Sequence, residues 1–168
     1  MIVQPGVVYG IGDTSSVRPF FLEYLQGKLK RLPAGAGYCW GHIEDTARGH
    51  VLAMEKGRPG EAYIIAGPAH TLIEAFAVAE KLTGIKAPTS HPSPRTLRMV
   101  AAIMSVVAKF KTVSETFDPE QLRVLAGNTY MGTAAKAERE LGFKARPLAE
   151  GLGPVLRREM DLLGIKPA

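Results

Sequence analysis

The chain opens on Met1-Ile-Val-Gln-Pro-Gly-Val-Val-Tyr-Gly-Ile-Gly-Asp13, an apolar β-type run that passes through Pro5-Gly6 into a glycine-rich turn. A run of this kind belongs inside a sheet, with strands on its edges and cover on its faces. The rest of the sequence offers only two further strands, Tyr38 to Ile43 and Glu61 to Ala66. Each is separated from the next by a helical pattern and not by a hairpin turn. About three short strands among six or seven helices read as α/β, yet three strands make a poor independent parallel sheet. With no strand ahead of the opening run in these 168 residues, the sheet is expected to be completed by strands from elsewhere.

The helices announce themselves by their ends. Ser15 or Ser16 caps a first helix carrying Val17, Phe20, Phe21, Tyr24 and Leu25 on one side, up to Gly27. Glu44 to Lys56 forms a second, with Glu44 and Asp45 at its positive start, Ala47, Val51 and Met54 facing inward, and Gly57 as C-cap. Thr71-Leu-Ile-Glu74 is a capping box for a third helix stopped by Gly84. Ser93-Pro94 starts a fourth, running to about Lys109. Asp118-Pro119 repeats that signal for a short helix ending near Gly127. Thr133 caps Lys136 to Leu141, and Leu148 to Leu163 closes the chain, its first turns weakened by Gly151, Gly153 and Pro154.

Composition narrows the function classes. Residues 1–168 form one domain, and 46% apolar residues suffice for a core. The longest apolar candidate for a membrane span, Val100 to Ala108, is about half the required length, so no membrane partner is expected. The sequence shows no leader, and a cytoplasmic location is expected. One cysteine, Cys39, excludes an intrachain disulfide and a Cys-x-x-Cys metal cluster, and no metal ligand set is assigned. Arg95, Arg98, Lys109 and Lys111 gather around one helix but lack interleaved aromatics, so nucleic acid is not an expected partner. A solvated face, or attraction of a small anion, accounts for them.

Two motifs mislead. Gly10-Ile-Gly12-Asp-Thr-Ser15 lies between a strand and a helix like a dinucleotide fingerprint. Its third glycine is Ser15, Asp13 would set a negative charge beside a pyrophosphate, and no strand bearing a ribose-binding acid follows. Tyr24-Leu-Gln-Gly-Lys28 spells Tyr-x-x-x-Lys, but Gly27 breaks the helix that would hold both groups in register. Tyr24 is expected in the core and Lys28 in solvent.

Four segments in fixed order carry a stronger message. They are Gln4 to Asp13, Trp40-Gly-His-Ile-Glu-Asp-Thr-Ala-Arg-Gly-His50, Gly57-Arg-Pro-Gly-Glu-Ala-Tyr-Ile-Ile-Ala-Gly67 and Tyr130-Met-Gly-Thr-Ala-Ala-Lys-Ala-Glu-Arg-Glu-Leu-Gly-Phe143. Together they resemble the C-terminal half of the extended short-chain dehydrogenase/reductases, the NAD-dependent epimerase/dehydratase family, in its dihydroflavonol reductase-like branch. The resemblance implies an extended Rossmann-type α/β fold, its last strand and helix elements interleaved with the substrate-binding subdomain. It implies that Pro5, Gly6, Val7 and Val8 line the nicotinamide, since a proline without N–H followed by glycine admits a flat ring. Tyr9 and Gly10 would begin the substrate pocket, and Arg18 would reach an anionic or hydroxylated substrate unless it is surface charge. His42 would touch substrate or hydrogen-bond nearby backbone, while Asp45 supports the helix start. Glu44 and Arg48 are spaced to pair. Ile11 departs from the proline usual in the family's Tyr-Gly-Pro-Gly.

In that family the glycine-rich phosphate loop and the catalytic Tyr-x-x-x-Lys precede the Pro-Gly strand. The expectation is therefore a substrate-binding portion of an NAD(P)-dependent reductase, epimerase or dehydratase that has no catalytic residue of its own and holds no cofactor tightly alone. The alternative is a non-catalytic small-molecule-binding or regulatory module. Expected partners are a carbonyl or sugar-type substrate and either a separately encoded N-terminal half or another copy of the chain.

Overall fold

The computed structural model describes residues 1–15, 17–108, 119–120, 123, 126–127 and 129–166. Ser16 as the alternative first cap, Lys109 and Lys111 of the basic face, and Asp118 as a helix start lie outside the described residues. Strands β1 (Ile2–Pro5) and β2 (Val7–Tyr9) lead into α1 (Val17–Leu25), β3 (Gly37–His42) and α2 (Ile43–Lys56). Then come β4 (Ala62–Ile65), β5 (Ala69–Thr71), α3 (Leu72–Thr83), α4 (Pro94–Val107), β6 (Thr129–Tyr130), α5 (Ala135–Leu141) and α6 (Leu148–Leu163). No described helix is long and apolar enough to cross a membrane.

The opening run is one strand in sequence and two in space. β1 pairs in parallel with β4, from Ile2 opposite Ala62 to Pro5 opposite Ile65. β2 pairs in parallel with β3, setting Val7 against Trp40 and Tyr9 against His42. The change of partner falls at Gly6, whose N–H still reaches the Ile65 carbonyl at 3.3 Å. A Cβ on Gly6 would overlap the Cys39 carbonyl oxygen, so only glycine lets the strand pass between its two partners. β3 also takes β5 antiparallel and β6 in parallel. The expected three strands are thus six among the described residues. Two arise from the split at Gly6, and β5 and β6 are too short to leave a periodic signature.

The helix ends obey the sequence. Thr71 Oγ1 accepts the Glu74 N–H at 3.2 Å while Glu74 accepts the Thr71 N–H at 2.8 Å, a complete capping box. Ser93 caps α4 with Pro94 behind it, and Gly84 closes α3 at φ 75°. The inward face of α2 is a correction. Asp45, Thr46, Gly49 and Ala53 are buried, while Ala47, Val51 and Met54 are exposed, the last at 80%. A Cβ on Gly49 would overlap the Ile65 side chain, so α2 sits too close to β4 for its larger side chains to turn inward. Small size won over apolar periodicity.

Two cores result. Tyr9, Phe21, Tyr24, Trp40, Phe76 and Leu152 lead one, joining β2 and β3 to α1, α3 and α6. Tyr63, Ile65, Leu141 and Phe143 lead the other, beneath α2 and α5. Tyr24 is buried, its hydroxyl donating to the Ile85 carbonyl at 2.5 Å, and Lys28 is exposed, as the rejection of the Tyr-x-x-x-Lys reading requires.

Candidate functional site

Parallel pairing of β2 and β3 brings together two residues 33 positions apart, Tyr9 and His42, at the C-terminal ends of both strands. Their rings meet edge to face with centroids 5.5 Å apart, and Trp40 closes on Tyr9 at 6.2 Å. His42 caps α2, its Nδ1 accepting the Glu44 N–H at 3.3 Å. That bond assigns the neutral ring's proton to Nε2. Burial, then the nearby Arg146 guanidinium, holds the His42 pKa below its ordinary value. The ring at this corner is neutral near pH 7.

The next residue inward governs the electrostatics. Arg146 grips Asp45 with Nε at 2.8 Å and Nη2 at 2.7 Å, adds its backbone N–H at 3.0 Å, and reaches Glu44 at 3.0 Å. Burial alone would raise the Asp45 pKa. The hydrogen bonds from the Arg146 side chain and backbone outweigh it and hold the carboxyl below the ordinary value. Arg146 is raised in turn, first by its hydrogen bonds to Asp45. Glu44 thus pairs with Arg146 where the spacing offered Arg48. Asp45 lies in the first turn of α2, but the cap there is His42, and the Asp45 carboxylate is taken by a residue 101 positions away.

Tyr9 is 1% exposed, and its hydroxyl is the one buried side-chain N or O atom among the described residues without a hydrogen-bond partner. Burial, the largest cause, raises its pKa well beyond the ordinary phenol value. A Cβ on Gly151 would overlap that hydroxyl, with the His42 ring and Arg146 close by. Gly151, read from sequence as a weak point of the last helix, is what lets α6 begin against Tyr9. Arg146 is the residue of this corner that sequence reasoning missed, and Gly151 the one whose contact it did not foresee. The only trace of the first is a base before Pro147 that complements the acids opening α2.

The remaining expected residues are distributed. Gly10 follows Tyr9 against Ile43, whose side chain a Cβ would overlap. Pro5 is exposed and Gly6, Val7 and Val8 are half-buried, leaving surface over the strand. Arg18 lies apart. It forms a two-pronged pair with Glu159 of α6 at 2.8 and 2.9 Å. Glu159 is two helical turns beyond Gly151, about 12 Å along the axis. In the Gly10–Ser15 loop, Asp13 accepts the Ser15 N–H at 2.7 Å, which fills an amide that a phosphate would need. Arg146 also lines a groove of about 450 Å³ with Gly67, His70, Thr133 and Glu138, which contains none of the eight expected site residues. No cluster of metal-ligating side chains exists among the described residues.

Strand order, helix placement and motif order define an extended short-chain dehydrogenase/reductase of Rossmann type. The chain belongs to the GDP-mannose 4,6 dehydratase family, whose model matches residues 12–152. It is 27% identical over 146 residues to sterol demethylase protein B of Methylococcus capsulatus, covering 84% of this chain and 44% of that protein. The fold superposes on the crystal structure of gox2253 with a TM-score of 0.77 at 24% identity, covering 98% of this chain and 50% of the other. It also superposes on a UDP-glucuronic acid 4-epimerase from Bacillus cereus, solved with UDP-glucuronic acid and NAD, with a TM-score of 0.63 at 20% identity, covering 96% and 45%. The chain spans about half the length of the curated relatives it matches.

Proposed function

We propose that these residues form the substrate-binding portion of an NAD(P)-dependent reductase, epimerase or dehydratase acting on a carbonyl or sugar-type small molecule. The observation that carries this reading is the parallel β2–β3 pair. Its carboxyl ends bring Tyr9 and His42 together, and ligands of open α/β sheets lie beyond such ends. Tyr9 and Gly10 form the floor of the pocket and His42 its neutral polar wall. Arg18 adds charge from the surface, one guanidinium nitrogen remaining outside its pair with Glu159.

The residues fit one side of NAD(P). Exposed Pro5 and half-buried Val7 and Val8 offer a flat apolar wall, with Gly6 holding the backbone low, whereas Asp13 opposes phosphates in the adjoining loop. When bound, the nicotinamide supplies or accepts hydride. This chain's residues orient the ring and substrate and hold water away. Neither tyrosine that the motifs point to serves as proton donor in this reading: the Tyr9 phenol is buried with its pKa raised, and Tyr24 lies in the core. The donor and the phosphate cradle belong to strands that would pair along the outer edge of β1, which has β4 on one side and no strand on the other among the described residues.

The test is direct. Purified chain mixed with NADPH and a panel of carbonyl and nucleotide-sugar substrates gives no NADPH oxidation, while titration calorimetry detects the substrate. Turnover by the chain alone overturns the reading. So does substrate affinity that Tyr9→Ala and His42→Ala leave unchanged in variants with cooperative melts.

A further inference from the structure

One helix remains outside this account. α4 exposes Arg95, Met99, Ala102 and Val106 in one row at i, i+4, i+7 and i+11, with Ile103 beside it. Met99 is 60%, Ile103 57% and Val106 58% exposed, while Leu97 and Ala101 on the opposite face hold the helix to Ala126. Several large apolar side chains in one row on an outer helix face mark an interaction surface. The charge along the helix and its lead-in has one sign, and the acid beside it, Glu120, is paired with Arg123 next to Ser105. From Leu82 to Ala108 there is no acidic residue, and Lys86, Arg95 and Arg98 are exposed. A second acid-free segment, Gln26 to His42, is fastened beside the entry to α4. The Arg31–Ser90 bridge does this, together with N–H bonds from Leu32 to Ser90 O and from Ala34 to Pro92 O, both at 3.0 Å. That segment adds exposed Lys28, Lys30 and Arg31.

From this juxtaposition we infer that α4 docks on an anionic phospholipid surface, lying in the plane of the headgroups. Its 14 residues span about 21 Å, short of the ~30 Å hydrocarbon core, so the helix lies on a bilayer and does not cross it. The expectation of no membrane partner rested on spanning length and does not bear on a helix in the interface. Apolar side chains enter the acyl boundary while lysines and arginines meet the headgroup phosphates, each part reinforcing the other. The charge complementarity favours lipid over a second copy of this chain, because two such faces would bring like charges together. The inference is independent of the proposed reaction.

The experiment is flotation of the purified chain with vesicles of phosphatidylcholine alone or mixed three to one with phosphatidylserine, at low and at 0.5 M salt. The chain floats with the mixed vesicles, at least fivefold less with phosphatidylcholine alone, and high salt releases most of it. A Met99→Glu, Ile103→Glu, Val106→Glu variant loses at least tenfold of the bound fraction with an unchanged thermal melt. A Lys86→Ala, Arg95→Ala variant loses a smaller share. No flotation, equal flotation on both vesicle types, or an unaffected triple variant overturns the proposal. A dimer in gel filtration that the triple variant abolishes, without vesicle binding, overturns it in favour of self-association.

Discussion

β3 and β1 are both strands of one small fold, yet they occupy opposite circumstances. β3 has β2, β5 and β6 as partners, and five of its six residues are buried. β1 has β4 alone among the described residues, and Ile2, Gln4 and Pro5 are exposed, Ile2 at 60%. A β-branched, apolar residue on an unpaired strand edge is a surface built for another strand. The difference teaches where each part of the proposed function would reside. The β3 side is a finished corner, with Tyr9, His42, Asp45, Arg146 and Gly151 fixed by contacts within the chain. The β1 side leads into the proposed nicotinamide wall at Pro5 and has an outer edge with no strand on it among the described residues.

The finished corner is tested hardest at Gly151. Gly151→Leu forces a side chain into the Tyr9 hydroxyl and the His42 ring, both buried. Overpacking of this kind costs about 3 kcal/mol, which a urea melt will read as a lower midpoint at unchanged slope. An unchanged midpoint would mean that α6 is free to shift away from β2, and the corner would not be a fixed unit.

Arg146→Ala comes next. It strands the Asp45 carboxylate, which is nearly buried, but Arg146 itself is partly exposed, so the loss is about 2 kcal/mol and below that of a fully enclosed pair. The pH profile separates this from lost packing. The Asp45 pKa is lower in the folded state than its unfolded value near 3.9. The stabilisation is therefore present above about pH 4 and lost as pH falls through the folded value. Wild-type stability should drop over that acid range, and Asp45→Asn should flatten the drop. A variant whose acid limb matches the wild type would show that the pair contributes packing alone.

Much of this was legible in the sequence, and the failures have physical causes. Caps and stops were read well because Thr71–Glu74, Ser93–Pro94 and Gly84 act through neighbours a few positions away. The family motifs located Tyr9 and His42, and the parallel register joined them. The inward face of α2 was misread because its orientation is set by how closely Gly49 approaches Ile65, a contact between distant segments. Arg146 escaped for the same reason, since its partners lie 101 and 102 positions away and nothing local marks an arginine before Pro147 as structural. Gly151 was seen and given the wrong meaning: a glycine in a helix reads as weakness until the tyrosine it accommodates is known.

The smallest effect on the isolated chain bears most directly on the open side. Ile2→Lys replaces an exposed apolar residue of β1 with a cation that edge strands use to repel pairing. Because Ile2 makes little of its contact within this chain, its own melt should move by no more than about 0.5 kcal/mol. Any strand that pairs with β1 meets the change in full. If the phosphate cradle and proton donor are supplied along that edge, adding the N-terminal half of a family member should restore NADPH oxidation to wild-type chain and not to the variant. Equal restoration in both would place the completing surface elsewhere and leave the exposed edge without a role. A large loss of stability in the variant alone would mean that β1 is already buried in an assembly of copies, and the contrast between the two strands would vanish in solution.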